Sequence, residues 1–231
     1  NDEVVTREAV GTSVTNGTFN SDLTGWTDND EVGATSSWVT GGYMGLASNG
    51  TANAIRDQSV SVDPLEVDIR HALRIEVERG DVALRVGTSA GGGQLIAETV
   101  LRRGVHSLSF VPGTTTVYIR LSARTVYTSL VSSVTIESGG PMEIDTPWPE
   151  AELENIRFEQ SGDVIFCACG PNIRPIRIER RGATSWSVVD YLANAGPFRS
   201  LNITTTTLTP SALSGDVTIT ASNPTFTAGN V

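Results

Sequence analysis

A steady supply of short apolar–polar alternations, each closed by turn residues, is what most limits the folds open to this chain. Ala72-Leu-Arg-Ile-Glu-Val-Glu78 sets Leu73, Ile75 and Val77 on one face of an extended segment and Arg74, Glu76 and Glu78 on the other. That period of two is the mark of a half-buried strand. Ser36–Thr40, Tyr43–Ala47, Ala54–Val62, Val82–Val86, Leu95–Val100, Val105–Phe110, Val117–Leu121 and Leu130–Ile136 continue the theme, with turns at Gly41-Gly42, Arg79-Gly-Asp81, Ala90-Gly-Gly-Gly93 and Pro112-Gly113. Such spacing predicts an antiparallel sandwich over residues 14–138, a jelly roll foremost.

Residues 1–13 read as a connector, and Gly139-Gly140-Pro141 breaks the pattern, giving a linker at 139–142 before a second β-domain over 143–231. In that second part Pro149 suits a first helical turn, and Glu150, Glu152 and Glu154 favour the positive end of a helix, so a turn or two of helix is expected. Ile156, Phe158 and Gln160 then alternate with Arg157 and Glu159; Ser161-Gly-Asp163 turns into the apolar run Val164–Cys169. Ile176 and Ile178 alternate with Arg177 and Glu179, and Gly182–Ser185 turns into a fourth strand at Trp186–Tyr191. Four successive antiparallel strands of this size resemble one propeller blade. Ile203–Leu208 and Val217–Ala221 would be further strands, separated by Pro210–Gly215.

Two family resemblances follow. Trp148, Leu153, Ile156, Arg157, Phe158, Gln160, Ser161, Asp163 and Val164, followed by Pro175, Arg177, Ile178, Arg180, Gly182 and Trp186 to Val188, resemble a repeat of large, nozzle-like tail and head-to-tail structural proteins of tailed bacteriophages. Gly170-Pro171-Asn172 stands where those relatives often carry His-Pro-Asn-type residues. The resemblance implies a virion component without an enzymatic role, a propeller-like body and a chain continuing beyond both ends. The opening Asn16-Gly-Thr-Phe19 and Leu23-Thr-Gly-Trp-Thr27 is similar to the start of jelly-roll carbohydrate-binding modules appended to cellulases and xylanases. In that family these residues are mostly structural, which implies core positions for Phe19 and Trp26; Trp148, Phe158 and Trp186 are expected to fill the core of the second part.

The chain is acidic, with a formal charge of −10, and all sixteen of its basic residues are arginine. Without a basic cluster, specific nucleic-acid binding is not expected. No stretch approaches the roughly 20 apolar residues needed to cross a bilayer, so no membrane partner is expected. Asn1 in place of Met and a strand-like pattern still running at Val231 suggest an internal fragment, with the second β-domain truncated. Cys167 and Cys169 lie two apart on one strand face, which suits packing better than a disulfide or a zinc site.

Catalysis finds little footing. His71 and His106 are the two imidazoles, and neither lies in a motif with a nucleophile. Scattered acids single out no glycosidase pair, and Gly91-Gly-Gly93 lacks the Lys-Ser or Lys-Thr of a phosphate loop. Asp28, Asp30 and Glu31 offer oxygen ligands to a structural calcium, or form an acidic solvated loop. A pyranose stacks on an exposed aromatic face beside hydrogen-bonding neighbours, so Trp38, Tyr43, Tyr118 and Tyr127 are the sugar-binding candidates, with Arg120, Arg124 and Gln58 as polar partners; each aromatic could equally be a packing residue. Arg180-Arg181 reads as a hairpin tip or a subunit contact.

The expectation is therefore an all-β chain: a jelly-roll sandwich followed by an antiparallel propeller-blade-like domain. Its expected role is that of a non-enzymatic, homo-oligomeric tail component in contact with other virion subunits and with host surface polysaccharide. The alternative is the carbohydrate-binding module of a secreted polysaccharide-degrading enzyme, outside the cell. No cofactor is expected beyond the candidate calcium.

Overall fold

The computed structural model describes residues 10–140, 144–170, 173–191, 206–212 and 217–224. Its strands are β1 (Thr27–Asp28), β2 (Thr35–Val39), β3 (Tyr43–Ala47), β4 (Ala54–Ser61), β5 (His71–Arg79), β6 (Val82–Gly87), β7 (Ile96–Leu101), β8 (Gly104–Phe110), β9 (Thr116–Ala123), β10 (Ser129–Ser138), β11 (Ile156–Ser161), β12 (Val164–Cys169), β13 (Ile173–Gly182), β14 (Ser185–Asp190), β15 (Leu208–Pro210) and β16 (Ile219–Ala221). A short 3-10 helix, Glu150–Asn155, precedes β11. The chain is an all-β protein, its sheets antiparallel.

Two sheets face each other. One is five-stranded, in the order β1-β4-β9-β6-β7; the other is nine-stranded, β11-β12-β13-β14-β8-β5-β10-β3-β2. Alternation decides what lies between them: Val117, Ile119, Leu121 and Ala123 of β9 and Val82, Leu84 and Val86 of β6 meet Leu73, Ile75 and Val77 of β5 and Val131, Val134 and Ile136 of β10 in one core. Each large apolar side chain withdrawn from water there contributes about 1.5–3 kcal/mol. Phe19 and Trp26 are buried in the same core, their ring centroids 5.9 Å apart.

The open side of the sandwich is fastened by polar groups. Arg56 donates from Nε to the Ser36 hydroxyl at 2.6 Å, from Nη2 to the Ser36 carbonyl at 2.6 Å and from Nη1 to the Trp26 carbonyl at 3.0 Å, joining β4 to β2. The expected connector is anchored where it is described: the amides of Gly11 and Thr12 and the Thr12 hydroxyl all donate to the Glu66 carboxylate. Those donors, the Thr12 hydroxyl foremost, hold the Glu66 carboxyl down at about 2. Gly17 is required by close approach, since a Cβ there would lie 2.0 Å from the Val134 carbonyl oxygen that faces it.

The four strands expected to form a separate blade do form a meander, β11 to β14, but it prolongs the larger sheet. β14 pairs with β8 through Trp186↔Ser107, Ser187↔His106, Val188↔Val105 and Val189↔Gly104. The physical reason is the free edge of β8, whose N–H and C=O groups need partners. Gly139 and Gly140 of the expected 139–142 linker thus join two parts of one sheet, and the compact units divide after Leu192 instead. Neither a closed barrel nor a propeller forms among the described residues.

The meander has a small core of its own, Cys167, Ile176 and Val188 with Trp148, Ile144, Ile165 and Ile178 against them. Both cysteines are free and buried; burial pushes the Cys167 thiol up, and Cys169 donates to the Glu152 carbonyl at 3.3 Å. Phe158, expected in a core, is instead 71% exposed, because β11 stands at the sheet edge and no described strand lies beyond it. Trp148 and Trp186 are half-buried. In the second compact unit, 193–231, β15 and β16 pair through Leu208↔Ala221, Thr209↔Thr220 and Pro210↔Ile219. Pro210, expected in the turn, closes β15 instead, and the strand start expected at Ile203 lies outside the described residues.

Candidate functional site

The outer face of the five-stranded sheet is built by the residues that alternate with its core. On β9 these are Tyr118, Arg120 and Ser122; on β6, Ala83 and Arg85; on β4, Ile55, Asp57 and Ser59. Register brings them into rows. Asp57 lies opposite Arg120 and accepts from its Nε at 2.7 Å and its Nη2 at 2.6 Å, a planar two-point pair. This carboxylate raises the Arg120 guanidinium above its ordinary value, against the opposing effect of burial. Asn29 donates to the same carboxylate at 2.8 Å.

Arg85 lies opposite Arg120, an unfavourable pairing of like charges. It is relieved by Glu98 of β7, which accepts from Arg85 Nε at 2.8 Å and again from Nη2. Across the sheet the charges therefore run Asp57, Arg120, Arg85, Glu98. Gly91 rests over Arg120, where a Cβ would come within 2.8 Å of the guanidinium carbon.

Beside this row the face sinks into a groove of about 430 Å³. Ala83, Val100 and Ser122 form a floor of small side chains, and Arg85 and Glu98 form one wall. The opposite wall brings Asn53, Arg124 and Thr125, with Asp81 at the end. Arg85 and Arg124 balance Asp81 and Glu98 in formal charge, and half-exposed Val100 offers an apolar patch between them. A floor of this kind accepts C–H groups, and the walls present donors and acceptors to hydroxyls.

Of the residues expected from sequence, Tyr118, Arg120 and Arg124 share this face, while Tyr127 stands 76% exposed in the loop after β9. Trp38 does not join them: on β2 of the other sheet it packs against the core, and its indole N–H donates to the Phe19 carbonyl at 2.7 Å. Phe19 itself has a φ of 50°, strained for a side chain of its bulk. Tyr43, on β3, lies on the outer side of that same sheet, away from the groove, with its ring against Gly41. Gln58 is buried, its amide joined to both the N–H and the carbonyl of Thr15, and serves packing.

The candidate calcium ligands are occupied by protein groups. Asp28 takes the Arg56 guanidinium, Asp30 takes the Ile55 amide and the Ser36 hydroxyl, and Glu31 takes the amide and side chain of Asn53. Their oxygens already accept from protein donors, Asp28 and Asp30 within one network through Ser36 and Arg56, which is a poor fit to a cation. Among the described residues no group of three or more His, Cys, Asp or Glu could hold a metal ion.

The histidines are equally committed. His106 Nε2 donates to the Arg102 carbonyl and Nδ1 accepts from the Ser187 hydroxyl, both at 2.8 Å, a neutral ring with no open nitrogen. Burial, reinforced by the charge of Arg181, lowers it to about 4. His71 stacks on Phe110 with its nitrogens turned to the Ile69 carbonyl and Glu66.

Among the described residues no helix is long and apolar enough to cross a membrane. No family model matches the chain, and no curated protein matches it. A solved structure described as "BiXyn10A CBM1 APO", a carbohydrate-binding module, is similar at 14% identity and a TM-score of 0.41, over 56% of this chain and 99% of that one.

Proposed function

We propose that the chain is a non-enzymatic glycan-binding protein whose sandwich takes a neutral sugar in the groove on its five-stranded sheet. The observation that carries this reading is the small floor set between charge-balanced walls. One face of a pyranose ring lies over Ala83 and Val100, and its hydroxyls meet Arg85, Glu98, Asn53 and Arg124. Glu98 already holds Arg85 in place, so little side-chain entropy is lost on binding. A phosphate-rich ligand would meet an acidic protein and a groove without net positive charge.

In the finer form of this reading the protein is a tail component of a bacteriophage and shows the groove to host surface glycans. The phage-like pattern from Trp148 to Val188 supports it, because its strands β11 to β14 extend the sandwich sheet and offer a surface outside the glycan groove. The alternative setting is an extracellular enzyme that degrades polysaccharide, with this chain as its binding module.

A panel of bacterial-envelope and plant glycans, followed by titration calorimetry of whatever binds, tests the reading. Arg85→Ala, Glu98→Ala and Arg124→Ala should each weaken binding about tenfold or more, as expected for a lost hydrogen bond to a charged group. Binding that ignores all three changes, or no binding across the panel, overturns it.

A further inference from the structure

An edge strand leaves N–H and C=O groups without partners, and folds blunt such edges with short strands or with donors laid over the carbonyls. In the two large sheets the edges are β1, β7, β2 and β11. β1 is two residues long. On β2 the Ser36 carbonyl accepts from Arg56, and on β7 the Val100 carbonyl accepts from Arg181 at 3.3 Å. β11 differs: it is six residues long, exposed from Arg157 onward, and carries the 71% exposed Phe158. Among the described residues the side chain lying on its carbonyls is its own Arg157, which donates to Ile156 at 2.9 Å and to Glu154 at 3.0 Å.

We propose that β11 pairs antiparallel with β11 of a second copy of this chain, about a two-fold axis through Phe158. The register follows from geometry and charge. Opposed residues in an antiparallel pair turn their N–H and C=O groups either both inward or both outward, so a symmetric pairing of identical strands must centre on a residue and not between two. Centred on Arg157 it sets arginine against arginine; centred on Glu159 it sets glutamate against glutamate. Centred on Phe158 it opposes Arg157 to the partner's Glu159 at both ends and brings the two exposed rings together. Cross-strand opposite charges and aromatic pairs both favour this register, and like charges disfavour the other two. In the single chain neither Arg157 nor Glu159 forms an ion pair with a described residue, Arg157 turning to backbone carbonyls for want of one.

Sedimentation velocity of the 231-residue chain over a concentration series reads the outcome. The chain should dimerise, and Arg157→Glu or Glu159→Arg alone should weaken the dimer about tenfold or more. The double variant should recover it, and an equimolar mixture of the two single variants should form a heterodimer, since each then opposes the other's charge. Both positions are exposed, so circular dichroism should show every variant folded. A chain that stays monomeric, a dimer indifferent to the single changes, or no recovery in the double variant overturns the proposal. Glycan binding is not involved, so its failure would leave this result standing.

Discussion

The sandwich and the meander use the same kind of strand and share one sheet, yet they are held in different ways. Between β5, β10, β6 and β9 two apolar faces meet, and the side chains interlock as one continuous core. Beyond β8 the same sheet runs past its opposing layer, and the apolar cluster there is a small one of Cys167, Ile176 and Val188 under a covering segment that includes Ile144 and Trp148. Strand-forming residues alone do not make a stable layer; a second layer does. The meander therefore depends on its seam with β8, where His106 and Ser187 lie fully buried.

The largest expected effect tests that difference directly. Leu84→Ala empties part of the shared core and should lower global stability by about 3–5 kcal/mol, the range for a fully buried leucine that cannot be replaced by collapse. Ile176→Ala, in the small cluster, should cost about 2 kcal/mol and act mostly on β11 to β14. Chemical denaturation gives the two free energies. Equal costs would mean that the meander is as firmly packed as the sandwich.

Acid should loosen the seam next. His106 has its folded value lowered to about 4, so between pH 6.5 and 4 the unfolded chain takes up a proton that the folded chain refuses. Stability contributed at neutral pH is thus lost as pH falls through that window, by up to about 3 kcal/mol, and no further below it. Glu66 acts in a lower window: its depressed value adds stability above its ordinary range that disappears as pH falls toward about 2. Denaturation midpoints at pH 7, 5.5 and 4 should therefore fall steeply in the wild type. His106→Gln, which can still donate to Arg102 and accept from Ser187, should flatten that slope; an unchanged slope would move the titrating group elsewhere.

The sandwich was legible because its signal is local. The alternation in Ala72–Glu78 and in Val117–Leu121 fixes which side chains face inward whatever the strands pair with. The groove was only half legible for the complementary reason. Ala83 and Arg85 share a face in Val82–Val86, and Arg120 and Ser122 share one on β9, but nothing in either stretch says that β6 lies beside β9. Long-range pairing made the wall from Arg85 and Glu98, and it withdrew Trp38 by giving its indole a carbonyl to hold. The same blindness hid the seam: the glycines at 139–140 mark a break in pattern, and they cannot show that β14 returns to β8.

The smallest effect on global stability, and the sharpest on the comparison, should come from Gly104. This residue opens β8 opposite Val189 with a φ of 139°, where a side chain is strained. A Cβ there would stand 2.1 Å from the Val188 carbonyl oxygen and 2.7 Å from the Val189 Cα, both backbone atoms that cannot swing aside. Gly104→Ala should therefore push β14 away from β8, at a local cost of about 1–3 kcal/mol. The pairs of β8 with β5 lie on its other side, and the sandwich core keeps its own opposing layer. Amide hydrogen exchange should show faster exchange along β12, β13 and β14 with little change in β4, β6 and β9. Faster exchange in both regions alike would mean that the seam holds the sandwich as much as the meander, and the two would then open as one unit.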